Sequence, residues 1–383
     1  MKIAMVIACD LFTGKSYGGK QCALRNLELL RAAAAPDELK TFAFSVNIPR
    51  QPPAGMTVYP ALGGNLQVAL GALARYKVMS PATERKVLAA LRDFEPDLLW
   101  VDNSQLGRLF NRSWNVPTVC FFQNAEQLYA KHKVEYESKI YLPSYWSSTY
   151  NETCAVRRAD RLVCLNARDS AELKSLYGRG ADLLLPISFG DVFDPVRATQ
   201  TQAAPRTLLF VGSKFPPNVD GITWFVNRVM PQLPEYTLKI VGRSFETLKD
   251  TLTRSNVQVI GGVEDLAAYY YESSAMVMPI QYGDGMKVKT AEAMMYGKSI
   301  FATTEALEGY EVTNLDGVWR CDDATAFVQA IRLAEETGEL LPYRKAVRRR
   351  FLEKYDTATV QAEFDAFLRG VQAGQTADGE GKA

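Results

Sequence analysis

The stretch from Ala275 to Glu305 constrains the fold of this chain more than any other. It begins with a short apolar run closed by Pro279, which is typical of a buried parallel strand. A loop containing Gly283 and Gly285 follows, and the pattern MKVKTAEAMMYG then predicts a helix that ends near Gly297. A second apolar strand, SIFAT, comes next. This order predicts a parallel α/β sheet whose helix N-terminus is open to an anionic or hydroxyl-rich ligand.

The same alternation of strand-length apolar runs and helical patterns extends along the whole chain. A length of 383 residues predicts two domains. The sequence therefore predicts an α/β fold of two doubly wound, Rossmann-like parallel sheets. The expected parts are an N-terminal domain over residues 1–189, a linker over 190–206, a C-terminal domain over 207–355, a final helix over 356–370 and a disordered tail over 371–383.

Composition excludes several classes of protein. The net charge of +1 gives no general reason to expect nucleic acid as a partner. The six cysteines are scattered, which is typical of buried apolar residues in a reducing compartment. Lys2 leads directly into a strand, and no apolar run reaches the length of a membrane-spanning helix. A cytoplasmic protein is expected.

Metal and histidine chemistry is limited by a single histidine, His132, which lies in a charged segment typical of a solvated surface. Histidine-rich metal sites are thereby excluded, and a Ser-His-Asp triad would have to use this one residue. The chain also lacks a D-x-D pair and a G-x-x-x-x-G-K-(S/T) phosphate loop. No metal and no cofactor are predicted.

The first domain carries candidate residues after its strands. Gly18 and Gly19 follow the first strand and precede a helix expected from Gln21 to Ala34, so they form either a tight turn or a set of N–H donors for a diphosphate. Ligands of doubly wound sheets bind at the carboxyl ends of the strands. That rule places the following side chains at one rim: Asp10, Asp102, Asn103, Gln123 and Asn124.

A family resemblance rests on the second half of the chain. Asp284, seven further residues, Glu292 and then A-M-x-x-G-K resemble the signature of retaining GT-B glycosyltransferases, most closely the bacterial polysaccharide-assembly branch of glycosyltransferase family 4. Three more segments resemble that branch in order and spacing: FVGSKFPPNVDGITWF, VGR and GGVEDL. Together they cover Thr207 to Glu311, whereas the first half is only loosely similar.

The resemblance implies the GT-B architecture, in which two domains face each other across a cleft and the C-terminal helix crosses back to the first domain. It implies metal-independent transfer of a hexose from a nucleotide-diphosphate sugar, of the UDP or GDP type, with retention of anomeric configuration. The implied catalytic residues are Asp284, Glu292 and Gln123. The implied donor-binding residues are Gly18, Gly19, Ser213, Lys214, Arg243, Gly262, Val263, Gly285, Met286, Lys287, Lys289 and Glu292. Asp102, Asn103 and Asn124 would bind the acceptor.

Individual roles follow from the same resemblance. Glu292 would hold the ribose hydroxyls, Asp284 the hexose, and Lys214 and Arg243 the diphosphate, while Lys289 would pair with Glu292 or contact phosphate. Three positions depart from the family pattern. Gln123 replaces a histidine and cannot carry a proton near neutral pH, Asp284 replaces a glutamate, and Ser213 replaces an arginine.

The implied partners are a nucleotide sugar and a saccharide or lipid-linked saccharide acceptor, with peripheral contact to the inner face of a membrane. The sequence of the first domain shows no clear amphipathic anchor for that contact. Three other interpretations stay open. They are a nucleotide-sugar epimerase of the same fold, a non-catalytic GT-B subunit that binds and stabilises a partner transferase, and a two-lobed small-molecule binding protein.

Overall fold

The computed structural model describes residues 1–13, 18–35, 38–283, 285–313 and 315–379, with side chains as far as residue 374. The chain forms two units. The first contains Met1–Pro186 together with Gln361–Ala383, and the second contains Ile187–Val360. The last helix therefore belongs to the first unit, as the resemblance implied.

The first unit is built on a parallel sheet of order β3-β2-β1-β4-β5-β6-β7. Its strands are β1 (Ile3–Ile7), β2 (Leu39–Ser45), β3 (Met56–Pro60), β4 (Leu98–Asp102), β5 (Thr118–Phe122), β6 (Arg161–Cys164) and β7 (Leu183–Leu184). All residues of β1, β4 and β5 are buried, which explains why they read as continuous apolar runs. The strand order reverses between β1 and β4, where doubly wound sheets bind ligands.

Helices connect these strands. They are α1 (Gly18–Ala33), α2 (Asn65–Leu73), α3 (Pro81–Phe94), α4 (Glu126–His132), α5 (Leu142–Arg158) and α6 (Ala167–Tyr177). Helix α3 begins at Pro81 because Ser80 accepts a hydrogen bond from the N–H of Thr83 and Pro81 occupies the first turn.

The second unit repeats the plan with a parallel sheet of order β10-β9-β8-β11-β12-β13. Its helices and strands in chain order are α7 (Pro195–Gln200), β8 (Thr207–Val211), α8 (Pro216–Arg228), β9 (Thr237–Val241), α9 (Lys249–Leu252), β10 (Val257–Gly261), α10 (Leu266–Glu272), β11 (Ala275–Met278), α11 (Val288–Met295), β12 (Ser299–Ala302), β13 (Val318–Arg320), α12 (Ala324–Glu336) and α13 (Lys345–Lys354). The reversal of strand order lies between β8 and β11. The α/β prediction of two parallel sheets is confirmed.

The last helix that the structure describes is α14 (Thr357–Gly379), which continues into the segment 371–379 that the sequence predicted as part of a disordered tail. An apolar stripe at helical spacing explains its packing, since Val360, Phe364, Leu368 and Val371 are all buried. The ring of Phe364 meets that of Trp100 edge-on at 5.4 Å. The stripe extends past residue 370, and the polar residues beyond it were what suggested disorder.

Two further boundaries differ from expectation. Segment 190–206, predicted as a linker, belongs to the second unit and contains α7, whose N–H groups at Val196 and Arg197 are capped by Asp194. Asp-Pro is a helix-start signal that the linker-like composition obscured. Helix α1 begins at Gly18 and not near Gln21, so Gly18 and Gly19 form its first turn.

Among the residues that the structure describes, no helix is both long and apolar enough to cross a membrane.

Candidate functional site

The loops after β8, β9 and β10 meet at the carboxyl edge of the second sheet. Gly212 donates to the carbonyl of Val241 at 3.0 Å, and Gly242 donates to that of Gly261 at 2.7 Å. A Cβ on Gly242 would lie 1.7 Å from the carbonyl oxygen of Gly212, so only glycine permits this approach. The close approach joins three loops that carry predicted donor-binding residues.

The predicted cations of these loops lie on an open surface. The backbone N–H of Lys214 donates to the carbonyl of Arg243 at 3.0 Å, which places the two residues side by side. Both are exposed, as are Ser213 and Gly262. The ammonium of Lys214 donates to Thr247 Oγ1 at 2.9 Å, an exposed bond that exchanges readily with water or a ligand.

Lys289 lies at the start of α11 and points toward the end of β8. Its Nζ donates to Asn218 Oδ1, lies 5.1 Å from the centre of the Phe210 ring, and would lie 3.2 Å from a Cβ on Gly212. Burial, together with the nearby charge of Lys287, lowers the pKa of Lys289 to about 7 against the opposing effect of Glu292. The expected partner Glu292 is thus replaced by Asn218, and a desolvated amine points into the β8 loop.

Glu292 is held one turn further along α11. Tyr270 Oη donates to Glu292 Oε2 at 3.3 Å, and the Tyr270 ring stacks on that of Tyr296 at 4.5 Å. Burial raises the pKa of Glu292, and the bond from Tyr270 and the charge of Lys289 oppose this shift. The sequence carries no signal for this bond, since its partners lie 22 residues apart on different helices.

The glycine loop before α11 is held by contacts of Lys287, which lies two residues after Gly285 in the chain. Lys287 Nζ donates to the carbonyl of Gly285 at 2.8 Å and forms an ion pair with Glu305 at 2.6 Å. Gly283 and Gly285 have φ angles of 142° and 66°, a region that favours glycine. The predicted catalytic Asp284 lies outside the described residues. Met286 is buried, whereas Val263, on the loop after β10, is half-buried. The contacts of Lys287 with the Gly285 carbonyl and with Glu305 therefore order the loop, and the ion pair neutralises the charge of Lys287.

In the first unit, the predicted residues Gln123 and Gly19 are brought together. Gln123 Nε2 donates to the carbonyl of Gly19 at 3.2 Å. A Cβ on Gly18 would have no neighbour within 4 Å, so packing among the described residues does not require glycine there. Because these glycines are the first described residues of α1, they lie at a helix N-terminus, a position suited to an anion.

Asp102 is not at a solvent-accessible rim, which corrects its prediction as an acceptor-binding residue. It is fully buried, and its Oδ1 accepts hydrogen bonds from Asn26 Nδ2 at 2.6 Å and Trp100 Nε1 at 3.4 Å. Burial raises the pKa of Asp102 to about 6. As the last residue of β4, it points inward between the strand and α1. Its role is structural.

Asn103 and Asn124 do lie where β4 and β5 end. Asn103 has a φ of 116° and donates from Nδ2 to Glu126 Oε1 at 3.2 Å. The Oδ1 of Asn124 is buried and has no hydrogen-bond partner among the described residues. An unpaired buried amide oxygen next to a strained asparagine marks a place where a hydroxyl-bearing ligand would satisfy a lone pair.

A buried carboxylate, Glu152, supports this edge from α5, and no sequence pattern indicates it. It accepts hydrogen bonds from the N–H groups of Glu126 at 2.6 Å and Gln127 at 3.3 Å, and from Tyr177 Oη at 2.8 Å. It therefore caps α4 from a different helix. Burial raises the pKa of Glu152 to about 7, and the charge of Glu126 contributes to the rise. No local spacing signals such a cap.

No group of three or more His, Cys, Asp or Glu among the described residues is arranged to hold a metal ion.

Comparison with known proteins gives three kinds of similarity. Residues 205–335 match the family model described as glycosyl transferases group 1. An uncharacterized 44.6 kDa protein in the cps region of Klebsiella pneumoniae is 23% identical over 227 residues, which are 54% of this chain and 57% of that protein. The match thus spans little more than half the length of that curated relative.

Two solved structures share the fold over nearly the whole chain. Sucrose-phosphate synthase from Thermosynechococcus elongatus superposes with a TM-score of 0.71 at 17% identity, covering 97% of this chain and 99% of that one. HepE from Anabaena, solved in complex with UDP, gives a TM-score of 0.64 at 15% identity, covering 97% and 100%. The expected fold class is confirmed: two Rossmann-like parallel-sheet units match those of GT-B glycosyltransferase structures. The match to the group 1 family lies in the unit that carries Lys289 and Glu292.

Proposed function

We propose that this protein transfers a hexose from a nucleotide-diphosphate sugar, of the UDP or GDP type, to a saccharide or lipid-linked saccharide acceptor with retention of anomeric configuration. The observation that carries the proposal is that one helix at the carboxyl edge of the second sheet places a desolvated Lys289, bonded to Asn218, one turn before Glu292, which is hydrogen-bonded by Tyr270. A pure scaffold gains nothing from a buried amine at this place, because its desolvation costs stability.

Each part of a nucleotide sugar has a chemically suited group at this edge. A diphosphate would favour the charged form of Lys289 and find further cations in Lys214 and Arg243. The carboxylate of Glu292, oriented by Tyr270, is suited to accept two bonds from the vicinal hydroxyls of ribose. The match of residues 205–335 to glycosyl transferases group 1 supports this assignment.

In the proposed reaction, the bond between the anomeric carbon and the diphosphate oxygen breaks while the acceptor oxygen forms a new bond on the same face of the sugar, and the proton of the acceptor hydroxyl passes to the departing diphosphate. The cations stabilise the negative charge that develops on the departing diphosphate. Asp284 would hold hexose hydroxyls, and Gly262 and Val263 would contact the base through their main chain. The acceptor would bind to Asn103 and Asn124 in the first unit. The reaction is proposed to need neither a metal nor another cofactor.

The test is a titration of the purified protein with UDP, GDP and their hexose conjugates, followed by calorimetry and thermal shift. A ligand present at 100 times its dissociation constant adds about 2.7 kcal/mol to the free energy of unfolding. We expect one nucleotide sugar to stabilise the wild type and Glu292→Gln to abolish the effect, whereas Glu336→Gln, on the exposed surface of α12, leaves it unchanged. Absence of binding by every nucleotide would refute the proposal.

Turnover and stereochemistry need a second measurement. Incubation of the bound nucleotide sugar with saccharide acceptors, followed by proton NMR of the anomeric signal, distinguishes retention from inversion. The resemblance to family 4 predicts retention. A product with inverted configuration would contradict the proposed mechanism without affecting the donor site.

A non-catalytic subunit that stabilises a partner transferase is the second candidate. Gln123, which occupies the position of a histidine in the resembling family, uses its amide to bond Gly19 and cannot exchange a proton. Nucleotide binding without turnover on any acceptor, together with activation of a co-purified transferase, would favour this alternative. Turnover by the isolated chain would exclude it.

The wider setting is proposed from relatives alone. The similar Klebsiella protein lies in the cps region, which supports a place in cell-surface polysaccharide biosynthesis. Such an enzyme would work on the cytoplasmic side and contact the membrane peripherally to reach a lipid-linked acceptor.

A further inference from the structure

Two aromatic side chains at the carboxyl edge of the second sheet are exposed. Phe215, in the loop after β8, is 59% exposed, and Tyr282, in the segment after β11, is 48% exposed. Both segments follow the strands between which the strand order reverses, which is where doubly wound sheets bind ligands. Single exposed aromatic residues are common on protein surfaces, but two that border a ligand crevice indicate a binding surface.

Two contacts join the segments that carry these rings. Tyr282 Oη donates a hydrogen bond to Asp220 Oδ2 on α8. A Cβ on Gly221, also on α8, would lie 2.2 Å from the carbonyl oxygen of Pro279, so the helix backbone packs directly on the segment after β11. Because Phe215 immediately precedes α8, the two aromatic residues lie on adjoining parts of the same edge.

The backbone that presents Phe215 is held in place. Its N–H donates to the carbonyl of Ser213 at 2.8 Å, and its carbonyl accepts from the N–H of Val219 at 3.0 Å. Pro216 and Pro217 then restrict the backbone in the first turn of α8. An exposed ring on a restrained backbone loses little conformational entropy when a ligand binds to it.

These rings lie at the sugar end of the proposed donor site. Lys289 Nζ, which is proposed to bind the diphosphate, donates to Asn218 Oδ1, and the N–H of Asn218 donates to the carbonyl of Phe215 at 2.9 Å. The hexose of a nucleotide sugar is joined to the second phosphate, so it must lie beside that group. The base is proposed on the loop after β10, which the sheet order places three strand spacings, about 14 Å, from β11. The sugar, at the opposite end of the donor, is therefore the part that reaches Phe215 and Tyr282.

We propose that Phe215 and Tyr282 form an aromatic platform against which the apolar face of the donor hexose packs, so that they determine the preference for the sugar part of the donor. A pyranose carries its hydroxyls around the rim and presents C–H groups on its face. Such polarised C–H groups pack favourably on the electron-rich face of an aromatic ring. Asp220, which is exposed beside Tyr282, offers a carboxylate to a hydroxyl at the rim. The inference rests on the proposed function, because it assigns a place to the sugar of the same donor.

Calorimetry with matched ligands tests the aromatic platform. UDP, UDP-glucose and UDP-galactose, and likewise GDP and GDP-mannose, are titrated into the wild type and the variants. The ratio of the dissociation constants of a nucleoside diphosphate and its hexose conjugate measures the contribution of the hexose. We expect Phe215→Ala and Tyr282→Ala each to weaken binding of the nucleotide sugar about tenfold and to leave binding of the nucleoside diphosphate unchanged.

Conservative variants separate the ring from its apolar character. Phe215→Leu keeps an apolar side chain but removes the ring, so it should weaken binding of the nucleotide sugar as much as Phe215→Ala does. Phe215→Tyr and Tyr282→Phe keep the rings and should bind the nucleotide sugar almost as tightly as the wild type. Leu333→Ala is the matched control, because Leu333 is 57% exposed on α12. All these positions are exposed, so far-ultraviolet circular dichroism should be unchanged.

Three results would overturn the aromatic platform alone. Equal losses of UDP and UDP-glucose binding would place the rings at the base or the diphosphate. Unchanged binding of the nucleotide sugar by both alanine variants would separate the rings from the donor, and wild-type binding by Phe215→Leu would show that no ring is needed. Absence of binding by every nucleotide would instead refute the proposed function and the platform together, so the two failures are distinguishable.

Discussion

The carboxyl edges of the two sheets occupy equivalent places in the topology but carry opposite charges. At the edge of the first sheet, Asp102 and Glu152 are buried among hydrogen bonds that the protein itself supplies. At the edge of the second, Lys214 and Arg243 are exposed and Lys289 is desolvated beside a glycine loop. The two carboxylates of the first edge accept hydrogen bonds within the protein, whereas Asp102 Oδ2 and Asn124 Oδ1 have no partner among the described residues. The cations of the second edge are available to bind a ligand.

The two edges also use glycine differently, and this gives the largest expected effect. Gly242→Ala places a Cβ 1.7 Å from the Gly212 carbonyl oxygen at a φ of 154°, so the loops after β8 and β9 would have to separate. We expect a loss of about 4 kcal/mol or more in the free energy of unfolding, measured by urea titration.

Gly18→Ala provides the matched control at the first edge, because a Cβ at that position would meet no atom of the described residues within 4 Å. Its effect should stay within about 0.5 kcal/mol. Equal losses for both variants would mean that the α1 glycines are as constrained as those of the second sheet, and the contrast between the edges would disappear.

Lys289→Met tests whether the amine at the second edge binds an anionic ligand. Nucleotide binding should weaken by about 2–3 kcal/mol, the value of a hydrogen bond to a charged group together with its desolvated surroundings. The ligand-free variant should nevertheless be more stable than the wild type at pH 7. Calorimetry measures the first effect and thermal unfolding the second.

The sign of that stability change follows from proton linkage. The pKa of Lys289 is about 7 in the folded protein against an ordinary value of 10.5 for a solvated lysine, so the unfolded chain binds more protons between these values. Wild-type stability therefore gains from Lys289 deprotonation as pH rises from 7 to 10.5. The advantage of Lys289→Met should accordingly shrink toward about pH 10. An advantage that is constant with pH would show that the amine is not desolvated.

Much of the second edge could be predicted from sequence because its signals are local. Pro279, the loop glycines and the apolar runs determined the order of strand, loop and helix within a short segment. The bonds from Lys289 to Asn218 and from Tyr270 to Glu292 could not be predicted, since their partners lie 71 and 22 residues apart. Tertiary packing brings these partners together, and the hydrophobic periodicity of the sequence does not encode it.

The first edge was predicted less well for a related reason. The rule that strand ends face solvent placed Asp102 at a rim, but Asn26 and Trp100 supply buried donors that draw it inward. Glu152 sits in the middle of α5, where nothing in the sequence distinguishes it from an exposed helical carboxylate.

Opposite charge at the two edges predicts opposite pH dependence. Burial raises the pKa of Glu152 to about 7 from 4.5, so the folded protein binds more protons between these values, and stability falls as pH rises through that window. Glu152→Gln should remove about 2 kcal/mol of this dependence, as measured by urea titration from about pH 5 to 8. Glu363→Gln, on α14, is the control. A variant as pH-dependent as the wild type would place the titration elsewhere.

Among the variants expected to lower stability, the smallest change in unfolding free energy is expected at Gln123. Its side chain donates to the Gly19 carbonyl at the first edge. Gln123→Ala should cost about 0.5–1.5 kcal/mol of unfolding free energy, the net contribution of a partly buried hydrogen bond. Nucleotide binding, measured by calorimetry, should not change if Gln123 only fixes the start of α1. Gln123→His keeps a donor and should recover part of the stability. Weaker nucleotide binding by both variants, with intact circular dichroism, would instead make Gln123 a ligand contact, and the first edge would then be less self-contained than its hydrogen bonds indicate.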